Sequence, residues 1–406
     1  MSEKQIKCWS YRKVNITFLK LYRTNELNSV FYNSQEVGLA KALVKLHPEH
    51  HVDIVLLTKK STELNKKNTG NDTCSITKTS DYLDEKQVEN VFISDNITLH
   101  IIVAKGLGHH GIIELSILKK MKTDLVHLLA DNMLFAPNVI NYCYNNGIKC
   151  HLYIGTLFTD SKKWYKKALS RMLIDRNIRA YRKVDVYVKT PFVMSQCNKF
   201  GIDAKLAPVG LNASDTLLSA DSRENIRQRF GLPNDKKILL FVGRLEEYKH
   251  PLEAIELLGK MSDFQLLIVG NGTKLFEVQK KADEMGILES IKIMSQIPNS
   301  EMRDIFKACD YYINFNPVEI YGMAILEAMC HKCPVLAIKA PGPEFLIENG
   351  ETGFVCNDIE QMADKILFLE NNREIYERIQ LNAREHIINH LTWDKTVLEF
   401  RDFEHK

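Results

Sequence analysis

Asn316-Pro317-Val318-Glu319-Ile320-Tyr321-Gly322-Met323-Ala324-Ile325-Leu326-Glu327-Ala328-Met329 is the stretch on which the reading of this chain turns. An apolar run ends near Asn314, a proline-bearing loop follows, and a helix is expected from Gly322. A helix start offers amide N–H groups without intrahelical acceptors and a positive dipole end, a setting that suits a phosphate or diphosphate. Glu319 stands in the loop and Glu327 on the second turn of the helix. Carboxylates so placed can accept hydrogen bonds from the hydroxyls of a sugar and a ribose. The same spacing also fits a plain helix with one solvated and one salt-bridged glutamate.

Upstream, Phe241-Val242-Gly243-Arg244-Leu245-Glu246-Glu247-Tyr248-Lys249-His250-Pro251 repeats the arrangement of strand, glycine and helix. Arg244 and Lys249 follow a strand's carboxyl end, where open α/β sheets bind ligands. Two cations there can neutralise a departing diphosphate, or simply pair with Glu246 and Glu247. Ile268-Val269-Gly270-Asn271-Gly272 and Pro341-Gly342-Pro343-Glu344 open two further turns of the same kind.

Outward from these turns, strand-like and helix-like runs alternate along the whole chain. In the second half strands are expected at Ile238–Val242, Leu266–Val269, Ile291–Met294, Tyr311–Asn314 and Pro334–Ile338, with helices between them. In the first half the strand-like runs are Val14–Leu19, Val52–Leu57, Ile97–Val103, Leu125–Leu129, His151–Ile154 and Val184–Val188; helical periodicity is clearest at Gln35–Leu46 and Leu134–Asn146. This pattern predicts an α/β chain of two Rossmann-like domains with parallel sheets facing across a cleft. The expected domains are 1–208 and 209–390, with Pro208–Asn212 as the join. Lys59–Asn90, rich in polar residues, is expected to be a long solvated loop.

Together and in this order, the four turns resemble the retaining GT-B glycosyltransferases of family 4. The residues carrying the resemblance are Gly243/Arg244/Lys249, Gly270/Gly272, Glu319/Tyr321/Gly322/Glu327, Pro334/Val335 and Glu344/Gly350/Gly353. It is strong over roughly 205–390 and holds only at the level of pattern over 1–200. The resemblance implies that Arg244 and Lys249 hold the diphosphate of a nucleotide-sugar donor, with Gly243, Met323 and Ala324 lending backbone. Glu319 would bind the transferred sugar, Glu327 the ribose, and the backbone near Ile297 the base; Asn271, Tyr321 and Gly322 complete the donor pocket. The resemblance further implies a UDP-sugar donor, transfer of a hexosyl group to a glycan or lipid-linked acceptor with retained configuration, and a 391–406 helix that returns to the first domain. Envelope polysaccharide or glycolipid synthesis is the expected setting. No metal or other cofactor is expected, since the two cations and the helix start take that role.

Two features depart from the family. No glycine-rich loop stands near Val30–Ser34, and Gly155 occupies a position where the family often has a histidine that helps to position the reacting sugar. Asp131, Asn132, Gly155 and Thr156 are the substitutes expected to line the acceptor side. These departures keep a second class open, a glycosyltransferase-like scaffold without catalysis; a sugar-nucleotide epimerase or phosphorylase of the same fold is a lesser alternative.

Charge is distributed unevenly. Residues 1–200 hold 30 Lys+Arg against 18 Asp+Glu, which leaves 24 against 33 beyond them. From Lys162 to Lys183 nine cations stand with one acid, Asp175. Lys162, Lys163, Lys166, Lys167 and Arg171 alternate there with Trp164 and other apolar residues, a pattern suited to an anionic membrane surface. A solvated helix packing its apolar stripe on its own domain fits the pattern too. No nucleic-acid motif accompanies these cations. No apolar run reaches the ~18 residues of a membrane span, and the first residues lack a signal-peptide apolar core. Nine cysteines, an odd number, read as reduced thiols. Cys330-His331-Lys332-Cys333 has no second ligand pair at metal spacing. The expected location is cytoplasmic, peripheral on the inner face of a membrane.

Overall fold

The computed structural model describes residues 13–24, 35–59, 75–77, 88–158 and 164–403. The chain divides into two compact units, one of Met1–Gly210 with Trp393–Lys406 and one of Leu211–Thr392.

In the second unit six parallel strands lie in the order Ile291–Met294, Phe264–Val269, Lys237–Val242, Tyr311–Asn314, Val335–Ile338 and Phe354–Cys356. The first three are consecutive and run one way across the sheet; the last three run the other way. This is the doubly wound order, and it reverses between Lys237–Val242 and Tyr311–Asn314. The central strands are buried on both faces because helices cover both, so they read as continuous apolar runs. Leu239, Phe241, Leu266, Ile268, Tyr311 and Ile313 form the centre of the core with Ile255, Leu258, Ile366 and Ile379 from the helices.

Asp310 precedes the switch-point strand and is buried. Its two oxygens meet Arg223 and Arg227, each at 2.8 Å, and the second also accepts the Ile238 amide at 2.7 Å. Arg227 itself donates to the Ala308, Pro233 and Lys236 carbonyls. One carboxylate thus fixes the helix Arg223–Arg229 and two neighbouring strands.

The first unit has seven parallel strands in the order Ala204–Leu206, Asp185–Val188, Lys149–Ile154, Leu125–Leu129, Asn15–Thr24, His51–Thr58 and Ile97–Val103. Val88–Ser94 and Ser75–Thr77 extend the edge antiparallel. The expected Lys59–Asn90 loop therefore contains Ser75–Thr77 and the start of Val88–Ser94; its remaining residues beyond Lys59 lie outside the described ones. A hairpin of Lys105–Leu107 and His110–Ile112 adds to Asn15–Thr24. The helix Trp393–Glu399 and the turn Arg401–Phe403 belong to this unit. There Phe400 and Phe403 pack on a buried His127–His151 pair, whose ring nitrogens are 2.5 Å apart. Burial, then the neighbouring His151, holds His127 well below the usual histidine range inside an aromatic core.

Asp310→Asn keeps the shape and removes the charge that the buried Arg227 and the partly buried Arg223 face. It should destabilise the second unit by about 3–5 kcal/mol, read as a lower urea midpoint; a midpoint within error of wild type would show that the pair is not what fixes this strand.

Candidate active site

The two strands at the switch point pair directly, Leu239 with Tyr311 and Leu240 with Tyr312. Their carboxyl-end connections carry the residues singled out from the sequence. After Val242, the chain turns at Gly243, passes Arg244 and forms a short turn at Glu247–Lys249. It then enters the helix Pro251–Gly259 through His250, which adopts φ 52°. After Asn314 it passes Asn316 and Glu319, and Gly322 at φ 101° starts the helix Met323–Cys330.

The two connections meet. Lys249 Nζ donates to Glu319 Oε2 at 2.6 Å, with the lysine and glutamate side chains 21% and 15% exposed. Asn316 Nδ2 donates to the same oxygen at 3.0 Å. Asn316 is in turn set by a ladder of side-chain-to-backbone bonds. Asn314 Oδ1 accepts the Asn316 amide at 3.0 Å, and Asn316 Oδ1 accepts the Val318 amide at 3.1 Å. Both asparagines are buried. Neither was singled out beforehand, although two asparagines two residues apart at a strand end ahead of Pro317 are a turn signal.

Arg244 donates to the Tyr248 hydroxyl at 2.7 Å, and the Tyr248 ring lies 5.7 Å from the guanidinium carbon and 5.6 Å from Lys249 Nζ. Tyr248 thus stands between the two cations and holds them on one side of the turn. Glu246 is drawn away from them, because its carboxylate accepts from the Thr273 hydroxyl and amide, which holds it below the usual carboxylate range.

Glycines let neighbouring connections touch. Gly342 donates its N–H to the Glu319 carbonyl at 2.7 Å, and a Cβ on it would lie 2.3 Å from the Tyr321 carbonyl oxygen. The Tyr321 ring is buried near Phe345, so its side chain packs into the unit rather than facing a ligand, and burial raises its phenol above the usual range. Asn271 is exposed; its carbonyl accepts the Leu245 amide and its side chain the Gly272 amide. Ile297 is buried beyond the edge strand Ile291–Met294. Met323 and Ala324, in the first helical turn, are partly exposed, and Glu327 lies one turn on. Gly243, Lys249, Glu319 and the helix start are thus gathered in one place.

In the first unit, Asp131 Oδ1 accepts the amides of Gly155 at 2.6 Å and Thr156 at 3.2 Å. Asn132 is differently engaged: it donates to the Ser170 carbonyl and accepts from Asn177, which pins the helix Trp164–Tyr181. It is a packing residue, not a free polar group. That helix buries Leu173, Ile174, Asn177 and Ile178 and exposes Trp164, Leu169, Arg171 and Met172. Lys166 and Lys167 fall within its span, and Lys162 and Lys163 lie outside the described residues, as does Val30–Ser34. Cys330 and Cys333 are buried, and burial pushes the Cys330 thiol up to about 11 and His331 down to about 4, so this pair is core. No helix among the described residues is long and apolar enough to cross a membrane.

Residues 222–386 match the family model described as "Glycosyl transferases group 1". Among curated proteins, a phosphatidyl-myo-inositol mannosyltransferase of Mycobacterium leprae is 27% identical over 225 residues, 53% of this chain and 54% of that protein. An N-acetyl-alpha-D-glucosaminyl L-malate synthase of Bacillus anthracis is 21% identical over 180 residues, 43% of this chain and 47% of that one. The chain spans about half the length of the curated relatives it matches. Solved structures cover nearly all of it. Anabaena Alr3699/HepE in complex with UDP gives a TM-score of 0.70 at 14% identity over 96% of this chain and 98% of that one. A glycosyltransferase from Rickettsia africae gives 0.70 at 18% over 97% and 98%. The fold is that of the GT-B glycosyltransferases.

Gly342→Ala drives a methyl into the Tyr321 backbone and should cost about 1–3 kcal/mol by overpacking, measured by urea unfolding; an unchanged midpoint would mean that the contact relaxes freely.

Proposed function

From the match of residues 222–386 to the glycosyl transferases group 1 family model we propose that the chain transfers a hexosyl group from a UDP-sugar to a glycan or lipid-linked acceptor with retention of configuration. The observation that carries the reading is the Lys249–Glu319 pair at 2.6 Å beside the start of Met323–Cys330. It sets a cation for the diphosphate next to a carboxylate for sugar hydroxyls, at a point where the helix amides also converge. The Anabaena neighbour, whose structures include complexes with UDP and with UDP-glucose, supports UDP as the nucleotide.

In this reading the donor diphosphate lies against Arg244, Lys249 and the amides of Met323 and Ala324. As the glycosidic bond breaks, negative charge builds on the leaving phosphate, and groups already aimed there stabilise it without reorganising. Glu319, released from Lys249 as the lysine turns to the phosphate, accepts hydrogen bonds from the transferred sugar, and Glu327 from the ribose. The cations and helix start supply the charge that a metal supplies elsewhere, so a chelator should leave turnover unchanged.

The exposed Trp164, Leu169 and Met172 beside Arg171 support a membrane-facing acceptor side. Each cation near an anionic surface contributes about 1 kcal/mol. Trp164→Ala with Met172→Ala should lower cosedimentation with phosphatidylglycerol vesicles; equal cosedimentation would remove the membrane role. An envelope polysaccharide or glycolipid is the acceptor class that fits such a surface.

The donor site is tested by thermal shift with UDP, GDP, ADP and CMP. A ligand at 100 times its Kd stabilises by about 2.7 kcal/mol, several degrees in Tm, and UDP is expected to shift selectively. Lys249→Ala should then lower turnover by ~10²-fold or more. No shift with any nucleotide would favour the non-catalytic scaffold, and unchanged turnover would remove Lys249 from the mechanism.

A further inference from the structure

Lys189 directly follows the strand Asp185–Val188, in register beside Lys149–Ile154 and its continuation Gly155. A Cβ on Gly155 would lie 2.9 Å from Lys189 Nζ, 3.1 Å from its Cε and 3.3 Å from Asp131 Oδ1. The ammonium therefore stands in the volume that any larger residue at 155 would claim. Nζ donates to Gln35 Oε1 at 2.9 Å and lies 5.6 Å from the Tyr153 ring centre. Next to it Lys20 and Glu36 pair at 2.7 Å. Lys20, Asp131, Gly155 and Lys189 stand at or near the carboxyl ends of four adjacent strands, on both sides of the point where this sheet reverses its order, between Asn15–Thr24 and Leu125–Leu129. Glu36 is buried, but Lys20, Gln35, Asp131, Gly155, Thr156 and Lys189 are each partly exposed, so the group opens to solvent.

Its chemistry is specific. Two ammonium groups face two carboxylates and an amide, a set without net charge in which donors and acceptors alternate. A phosphate entering it would meet both carboxylates, whereas vicinal hydroxyls can accept from Lys189 and donate to the acids. We propose that Lys189, set in the space left open at Gly155, binds hydroxyl groups of the sugar acceptor in the first unit. This rests on the glycosyltransferase reading. A side chain larger than glycine's at 155 would crowd the ammonium and make the flexible end of the lysine shift.

Burial holds Lys189 below the usual lysine range; Asp131 and Glu36 oppose that shift and Lys20 adds to it. The charged form is thus lost at a lower pH than for an ordinary lysine, and transfer should fall as pH rises through that lowered pKa. Arginine stays charged throughout.

The test uses the full chain with UDP binding by calorimetry and transfer kinetics on the donor and acceptor that the wild type turns over. Lys189→Gln should leave the Kd for UDP within about twofold and lower kcat/KM for the acceptor by about 10²-fold, the loss of one charged hydrogen bond. Gly155→Ala, which displaces the ammonium without deleting it, should lower it by about 10-fold. Lys189→Arg should retain part of the activity and lose the alkaline fall, a signature that a packing role would not give. Should Lys189→Gln fold, bind UDP and transfer at the wild-type rate, or Lys189→Arg keep the alkaline fall, the assignment is overturned while the glycosyltransferase reading stands. Failure of the wild type to bind UDP or to transfer overturns both.

Discussion

The second unit depends on backbone meeting backbone at the carboxyl ends of its strands. A Cβ on Gly270 would lie 1.9 Å from the Gly243 carbonyl oxygen, and one on Gly272 2.4 Å from that of Leu245. The bonds Leu245 N–H to Asn271 O and Lys274 N–H to Leu245 O stitch the same connections together. Loops joined through main-chain bonds do not move with side-chain rotamers. Lys249 and Glu319, seventy residues apart in sequence, therefore meet at 2.6 Å on a rigid support. A site that must place several groups around one diphosphate needs such rigidity, because small displacements are costly in rate.

Beneath this layer the charges are arranged so that few groups compete for the two site cations. Thr273 takes Glu246, Lys274 takes Glu247, and Asp310 is held by arginines on the opposite side of the strand ends. In the turn Arg244 donates to the neutral Tyr248 hydroxyl, and Lys249 to Glu319. A cation whose partner is a neutral hydroxyl gives it up to an anion at small cost.

The first unit manages its polar groups differently. Asp131 caps the turn at Gly155 and Thr156, its carbonyl accepts from Tyr181, and Asn177 bridges Asn132 and Met133. These bonds fix one face of Trp164–Tyr181 to the sheet and leave the opposite, basic face outward. The helix thus combines the two readings its sequence allowed: an apolar stripe packed on its own unit, and a cationic surface with exposed Trp164 and Met172. Elsewhere in the unit Phe400 and Phe403 pack on the buried His127 and His151.

Much was legible in the sequence because parallel strands buried on both faces leave continuous apolar runs, and helix starts at strand ends need glycine or proline at fixed places. Hence Ile291–Met294, Tyr311–Asn314, Leu125–Leu129 and Gln35–Leu46 are read off with their bounds, and Arg244, Lys249, Glu319 and Gly322 as a group. The antiparallel strands Ser75–Thr77 and Val88–Ser94 were not, because their short sequences, broken by polar residues, contain no such run. Only the tertiary structure decided what each polar residue faces. Asn132 went to packing, Tyr321 to the core, Asn316 to Glu319, and Lys189 to the space at Gly155. Local sequence determines which backbone bends and which face is apolar, since those depend on nearest neighbours. Which lysine meets which carboxylate depends on strands brought together from across the chain, and no local pattern records that.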